Sequence, residues 1–366
     1  EIGVRLVGSE MCIRDSIKEA DYNVVNFEAP ITHRKQHASI KSGPSISQSI
    51  DASRWLIEHK FNVISLANNH IFDYGISGFK ETKKCFFNVL TVGAGEWNEA
   101  FSPCILEKDG ISVAVFAMAE MQFGILRDKS DKYGCAWINH PSVNQIVKDA
   151  KKKYDYVIII AHAGLEGVDY PLPEWRNRYN ELLSVGCDVI VGGHTHTSQG
   201  YSIIGNNKFI FYSLGNFCFQ KNLSHCDSWN IGECISMSID ENGISFDVLG
   251  IKFNDNKLDL VNDDLWRHRM KMLNLVLAND NEYLKVINNM CLLQQSNYNN
   301  LFAMGGYIHV DRNFIKNILR YVMGKCRDVH VLNNLQCETH RWCMERILRI
   351  KTVSYTHLTL PTTPYV

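Results

Sequence analysis

The feature that most constrains the fold is a regular alternation of short β-rich runs and helical patterns between Asp21 and about Phe253. A segment with apolar residues at helical spacing precedes or follows each of four β-rich runs, YNVVNFE, FNVISLA, YVIIIAHAG and CDVIVGGH. Such alternation is typical of an α/β protein. Three further segments carry Asp-Gly, Asn-Asn and Asn-Gly turns and predict hairpins, so we expect the sheets to be mixed.

The chain changes character after about Asp255. From there apolar residues recur at helical spacing with basic residues between them, which predicts a helical appendage over 256–351. The two ends, 1–16 and 352–366, resemble translated sequencing adapter, a feature of metagenomic sequences, and we set both aside. We therefore expect an α/β domain over 17–255 followed by the helical region.

Charge and hydropathy narrow the classes of partner. The formal net charge is −1, so the chain lacks the basic excess that a nucleic-acid binder needs, and we expect no nucleic-acid partner. No run reaches the roughly 18 apolar residues that span a bilayer. We expect a cytoplasmic or membrane-associated protein whose natural N-terminus is not visible in this sequence.

Polar clusters follow four predicted strands. They are Asn26–Glu28, Asn68–His70, His162–Glu166 and His194–His196. Open α/β sheets place ligands at the carboxyl ends of their strands, and although one such cluster is as well explained by an ordinary loop, four together indicate a site. Imidazole, carboxylate and amide oxygen suit divalent Zn, Mn or Fe, so the sequence predicts a metal site of the hydrolytic type.

Seven blocks in order give the chain a family resemblance: NFEAPIT, KSGP, SLANNHIFDYG, GAG, HAGLE, GGHTHTSQG and YSLGNF. Over about 17–253 it resembles the bacterial capsule-synthesis proteins of the CapA/PgsA (poly-γ-glutamate capsule, PGA_cap) family, which are similar in fold to calcineurin-like metallophosphoesterases. The resemblance implies a sandwich of two mixed β-sheets flanked by helices, with the C-terminal helical region appended.

The resemblance also implies a ligand set for two divalent ions. Glu28 would bridge the ions, because one carboxylate has two oxygens to share. Asn69, His162 and His194 would hold one ion, and His196 the other. The metal would be Mn, Zn or Fe.

Further roles follow from the same motifs. His70 would act as general acid or electrostatic stabiliser beside the substrate, oriented by Asp73. Lys41, Glu166 and Asn216 are candidates to meet an anionic substrate, with a role in ordering their loops as the alternative.

Three departures from the family pattern stand out. The family usually begins with a strand ending in Gly-Asp, whose Asp ligates the second ion, whereas this sequence has VGSE there. We expect that position to be incomplete, with Glu10 or Asp15 only accidental substitutes. Ala163 and Thr195 stand where Trp and Pro are common, and neither change removes a donor.

Three functions remain open from the sequence. The first is a dinuclear-metal hydrolase, phosphoesterase-like, that acts on a phosphoester or an anionic polymer in capsule or exopolysaccharide/poly-γ-glutamate biosynthesis. The second is a noncatalytic polymer-binding or scaffolding component that docks on a membrane-bound capsule synthase complex. The third, a peptidase or amidase acting on γ-linked polyglutamate, shares every residue assignment with the first.

Overall fold

The computed structural model describes residues 17–33, 38–219, 227–254, 257–261, 264–298 and 327–359. Within these ranges the chain has a mixed α/β fold, which confirms the predicted class. The strands are β1 (Asn23–Asn26), β2 (Phe61–Ser65), β3 (Leu90–Val92), β4 (Ala94–Gly95), β5 (Cys104–Lys108), β6 (Ile111–Ala119), β7 (Gly134–Cys135), β8 (Tyr156–His162), β9 (Val189–Gly193), β10 (Ser198–Ile204), β11 (Lys208–Leu214), β12 (Ile231–Asp240), β13 (Gly243–Asn254) and β14 (Lys257–Leu260). The helices are α1 (Ile50–Glu58), α2 (Gly75–Cys85), α3 (Trp97–Ala100), α4 (Val143–Lys153), α5 (Pro173–Val185), α6 (Asp264–Leu277), α7 (Asp280–Leu293), α8 (Arg327–Gln336) and α9 (Glu338–Thr359).

A six-stranded sheet forms the centre, in the order β10-β11-β9-β8-β6-β5. Its four inner strands run parallel, and the two edge strands pair antiparallel. The edges come from two predicted hairpins, of which the first turns at Asp109-Gly110 with positive φ at both residues, as a tight hairpin turn requires. The mixed character of the sheet is therefore confirmed.

The parallel sheet β1-β2-β3 packs on one face of the central sheet, and helices pack on the other. Alternate residues of β8 show this division, because successive side chains of a strand point to opposite faces. Val157 and Ile159 belong to the core shared with α4 and α5, whereas Ile158 belongs to the core shared with β2. The predicted sandwich with flanking helices is the observed architecture, but only the central sheet is mixed, because the described strands β1, β2 and β3 all pair parallel.

The C-terminal region differs from the prediction at its start. Residues 257–260, expected to be helical, form strand β14, because they pair antiparallel with the end of β13 and complete a third sheet, β12-β13-β14. Helices begin at Asp264. They contribute Leu277, Tyr283 and Ile347 to the core over the helical face of the central sheet, so they pack on the α/β domain.

The chain ends fall mostly outside the described residues. Residues 1–16, including Glu10 and Asp15, and residues 360–366 lie outside the described part of the chain. Helix α9 continues past residue 351, the predicted end of the helical region, to Thr359. Among the described helices, none has the length and apolar content that a bilayer span needs.

Candidate metal centre

The predicted ligands converge because the carboxyl ends of strands from two sheets meet. In the β1-β2-β3 sheet, Glu28 follows β1 and Asn69 follows β2. In the central sheet, His162 ends β8, and His194 and His196 follow β9. Parallel strands place these ends at one edge of each sheet, and the two sheets share a core. The structure thus brings all five residues together.

Their separations suit shared cations. His162 Nε2 lies 3.0 Å from Asn69 Oδ1 and 3.5 Å from Glu28 Oε1, and Glu28 Oε1 lies 3.8 Å from His196 Nε2. Glu28, His162 and His194 each offer one ligand atom within 4.8 Å of the others. Two ligands bound at about 2.1 Å in tetrahedral geometry lie about 3.4 Å apart, which is close to the observed distances.

The charge state of the site also fits a cation. Burial lowers the pKa of both His162 and His194 well below the usual range, so both rings are neutral at neutral pH, the form that binds metals. Burial raises the pKa of Glu28, while the nearby His196 opposes that rise. Glu28 Oε1 and His194 Nδ1 are buried and have no hydrogen-bond partner among the described residues. A divalent ion would satisfy both atoms, so the residues fit the group.

The turn after β9 holds its two histidines in an unusual backbone conformation. His194 has φ 84° and His196 has φ 59°, a region that non-glycine residues rarely occupy. Just before the turn, Gly192 permits the close approach of β9 to β11, because a Cβ there would overlap the backbone of Tyr212. Strain of this kind collects at functional sites, where the surrounding structure enforces it.

A hydrogen bond fixes the ring of His196. Its Nδ1 lies 2.8 Å from Asn216 Oδ1, and the Asn216 amide donates to the Trp229 carbonyl oxygen at 2.9 Å. The oxygen therefore accepts from Nδ1–H, which leaves the Nε2 lone pair facing Glu28. Contact with substrate stays a prediction for Asn216; its contacts indicate that it positions His196.

His70, Asp73 and Lys41 form a hydrogen-bonded group beside the ligands, in which Asp73 is fully buried and His70 is partly exposed. His70 Nδ1 lies 2.7 Å from Asp73 Oδ2, the contact expected of an orienting carboxylate. The Lys41 side chain is 4 % exposed, and its ammonium pairs with Asp73 Oδ1. Burial lowers the pKa of Lys41, and the bond to Asp73 opposes that shift. An anion contact stays a prediction for Lys41, whose charge is already paired with Asp73.

Two residues at the site were not predicted. His194 Nε2 lies 2.9 Å from Gln122 Nε2 and 3.4 Å from Glu120 Oε1. Glu120 directly follows β6, so the rule that located the other clusters, polar residues at strand ends, also applies to AMAEMQ. Burial raises the pKa of Glu120 to about 7.

The predicted residue Glu166 lies at the solvent-exposed side of the site. Its side chain is 58 % exposed, and its Oε1 lies 4.0 Å from His194 Nε2.

Known proteins with similar sequences are capsule proteins. The chain is 29% identical to the PGA biosynthesis protein CapA of Bacillus subtilis (strain 168) over 208 residues, 56% of this chain and 54% of that protein. It is 30% identical to the capsule biosynthesis protein CapA of Bacillus anthracis over 214 residues, 56% and 52% of the two chains. The chain therefore spans about half the length of these relatives.

A solved structure with partial similarity is that of a 5′-nucleotidase precursor from Thermus thermophilus. It has a TM-score of 0.36 and 14% sequence identity, over 62% of this chain and 45% of that one.

The family model for the bacterial capsule synthesis protein PGA_cap matches residues 12–221. The match spans more than half of the chain and includes every strand end that contributes to the candidate metal centre. The chain therefore belongs to the PGA_cap family of bacterial capsule synthesis proteins.

Proposed function

We propose that this protein is a divalent-metal-dependent hydrolase that cleaves a phosphoester or a related linkage during capsule synthesis. The observation that carries the proposal is the convergence of Glu28, His162 and His194 with two buried, unpartnered ligand atoms. Neutral imidazole beside carboxylate and amide oxygen is a donor set for Mn, Zn or Fe.

The five ligands divide between two positions. Asn69, His162 and His194 would hold one ion and His196 the other, with Glu28 between them, since Glu28 Oε1 is within 4 Å of both His162 and His196. Divalent ions in such a pair lower the pKa of water towards neutrality and polarise the oxygen of the bond to be broken.

His70 supplies the proton chemistry that this chain can offer. The contact between Nδ1 and Asp73 holds the ring in place, and a ring protonated on both nitrogens would give its Nε2 proton to the leaving group. The Lys41 ammonium balances the buried Asp73 carboxylate and lies 2.9 Å from His70 Nδ1. In this proposal, Asp73 and Lys41 position the His70 ring, and His70 alone transfers the proton.

The substrate class follows from the relatives and from the chemistry. The two relatives are named for PGA and capsule biosynthesis, so an anionic polymer or its precursor is the proposed substrate. Cleavage of a γ-linked amide would use the same ligands and the same acid, and only the substrate differs.

A second candidate is a scaffolding component of a capsule assembly complex. It is favoured by large apolar side chains exposed on the C-terminal helices, such as Leu265 at 78 %, Leu275 at 53 % and Leu293 at 80 %. A membrane-bound capsule synthase is the proposed partner for such a surface.

Turnover of a chromogenic phosphodiester and of γ-linked glutamate oligomers, each with Mn²⁺ or Zn²⁺, tests the first candidate. We expect His194→Ala to lose at least about 100-fold in rate, because it removes a ligand. His268→Ala, an exposed histidine on α6, serves as the matched control. Wild-type activity no greater than that of His194→Ala on both substrates would reject the hydrolase and favour the scaffold.

A further inference from the structure

The start of helix α9 is anchored at the end of strand β6, close to the metal centre. Glu338 Oε2 accepts from the Met121 backbone N–H at 2.8 Å, and Glu338 Oε1 accepts from Trp137 Nε1 and Asn139 Nδ2, both at 2.9 Å. Glu338 is 4 % exposed. These bonds join residues about 200 positions apart and fix the first turn of α9 against the α/β domain.

The next residue, Thr339, is bonded to the carboxylate beside His194. Its hydroxyl accepts from Trp175 Nε1 at 2.8 Å and donates to Glu120 Oε2. The indole N–H can only donate and a carboxylate oxygen can only accept, which sets the directions of the two bonds. Thr339 and Glu120 are each 1 % exposed, so water does not replace this bond.

The other oxygen of Glu120 faces the metal centre. Glu120 Oε1 accepts from Gln122 Nε2 at 2.9 Å and lies 3.4 Å from His194 Nε2. The Nδ1 atom of His194 is the buried nitrogen without a partner among the described residues. A histidine that ligates through one nitrogen commonly gives its other N–H to a carboxylate, which fixes both the tautomer and the ring orientation.

We propose that Thr339 and Glu120 are positioning residues for the metal centre. Thr339 holds Glu120, Glu120 accepts from Gln122, and both Glu120 and Gln122 contact the Nε2 side of the His194 ring, with Gln122 Nε2 2.9 Å away. These contacts hold the orientation of the ring and leave Nδ1 for the ion. Helix α9, outside the matched family region 12–221, is thereby part of the site. The inference rests on the metal binding in the proposed function and not on hydrolysis.

Mn²⁺ affinity, measured by calorimetry on the full chain, tests the proposal. Thr339→Val keeps the shape but removes the donor, and we expect affinity to fall about 10-fold; Glu120→Gln should lose about 10- to 100-fold. Thr339→Ser keeps the hydroxyl and should stay within about 3-fold of wild type. Trp175→Phe is the matched control: it removes the other bond to the same hydroxyl, and affinity should not change although the melting temperature falls.

A double variant keeps the test valid if Thr339→Val loses stability. Thr339→Val with Glu120→Gln should bind Mn²⁺ no more weakly than Glu120→Gln alone, because both changes act through one contact. Three results would overturn the proposal. They are wild-type Mn²⁺ affinity in Thr339→Val, equal losses of affinity in Thr339→Val and Trp175→Phe, and additive losses of affinity in the double variant. Absence of Mn²⁺ and Zn²⁺ binding in the wild type would instead reject the metal site itself, and this inference with it.

Discussion

At the scale of single residues, the site depends on which nitrogen of each histidine is occupied. His196 has Nδ1 bonded to Asn216 and Nε2 facing Glu28, whereas His194 has Nε2 facing Glu120 and Nδ1 without a partner in the described part of the chain. Histidines two positions apart therefore have different ring nitrogens engaged by neighbouring side chains. Their positive φ angles allow this arrangement at the cost of backbone strain.

Asn216→Ala should weaken metal binding without abolishing it. The change frees Nδ1 of His196, so the ring loses the bond that fixes its orientation, and we expect about 10- to 100-fold lower Mn²⁺ affinity by calorimetry. Asn274→Ala is the control, because Asn274 on α6 likewise accepts a hydrogen bond through its side-chain oxygen, from the Tyr201 backbone N–H. Equal affinities in the two variants would contradict the positioning role.

Asp73→Asn should destabilise the protein strongly. It leaves the Lys41 ammonium, 4 % exposed, without its paired charge, and breaking a buried pair costs about 3–5 kcal/mol. The double change Lys41→Met with Asp73→Asn removes both charges and should recover most of that loss in urea unfolding. Equal destabilisation by the single and double changes would show that the pair is not the cause.

At the scale of elements, the strand-end rule explains what the sequence could predict. Glu28, Asn69 and His162 were found because parallel strands bring their carboxyl ends to one edge. Strand β14 was missed because KLDL is short and only its pairing with β13 makes it a strand.

Contacts between distant parts of the chain limited the prediction of residue roles. Lys41 and Asn216 lie in motifs that suggest substrate contact, but tertiary partners, Asp73 and His196, engage their polar atoms. Thr339 lies 219 positions from Glu120, and no local pattern connects them.

Helix α9 should be held to the domain mainly by apolar burial. Ile347 is fully buried, so Ile347→Ala should cost about 2–5 kcal/mol. Arg346 pairs with Glu174 at 2.8 Å, but both side chains are partly exposed, so Arg346→Ala should cost about 1 kcal/mol or less. Urea unfolding monitored by fluorescence measures the free energy of unfolding of both variants. A larger decrease for Arg346→Ala than for Ile347→Ala would mean that the ion pair dominates.

At the scale of the whole molecule, the centre lies where three parts of the fold meet. The β1-β2-β3 sheet contributes Glu28 and Asn69, and the central sheet contributes the three histidines. The C-terminal helices contact the Glu120 carboxylate next to His194. The C-terminal helices share a core with α5, so the α/β domain and the helical region pack as neighbours.

The most direct test of the metal centre is anomalous diffraction at the manganese edge from crystals soaked in Mn²⁺. The structure predicts a peak about 2.0–2.3 Å from Glu28 Oε1 and from a ring nitrogen of both His162 and His194. The same soak of His194→Ala crystals should give a weaker peak or none. Wild-type crystals without an anomalous peak within about 4 Å of these three side chains would contradict the metal centre.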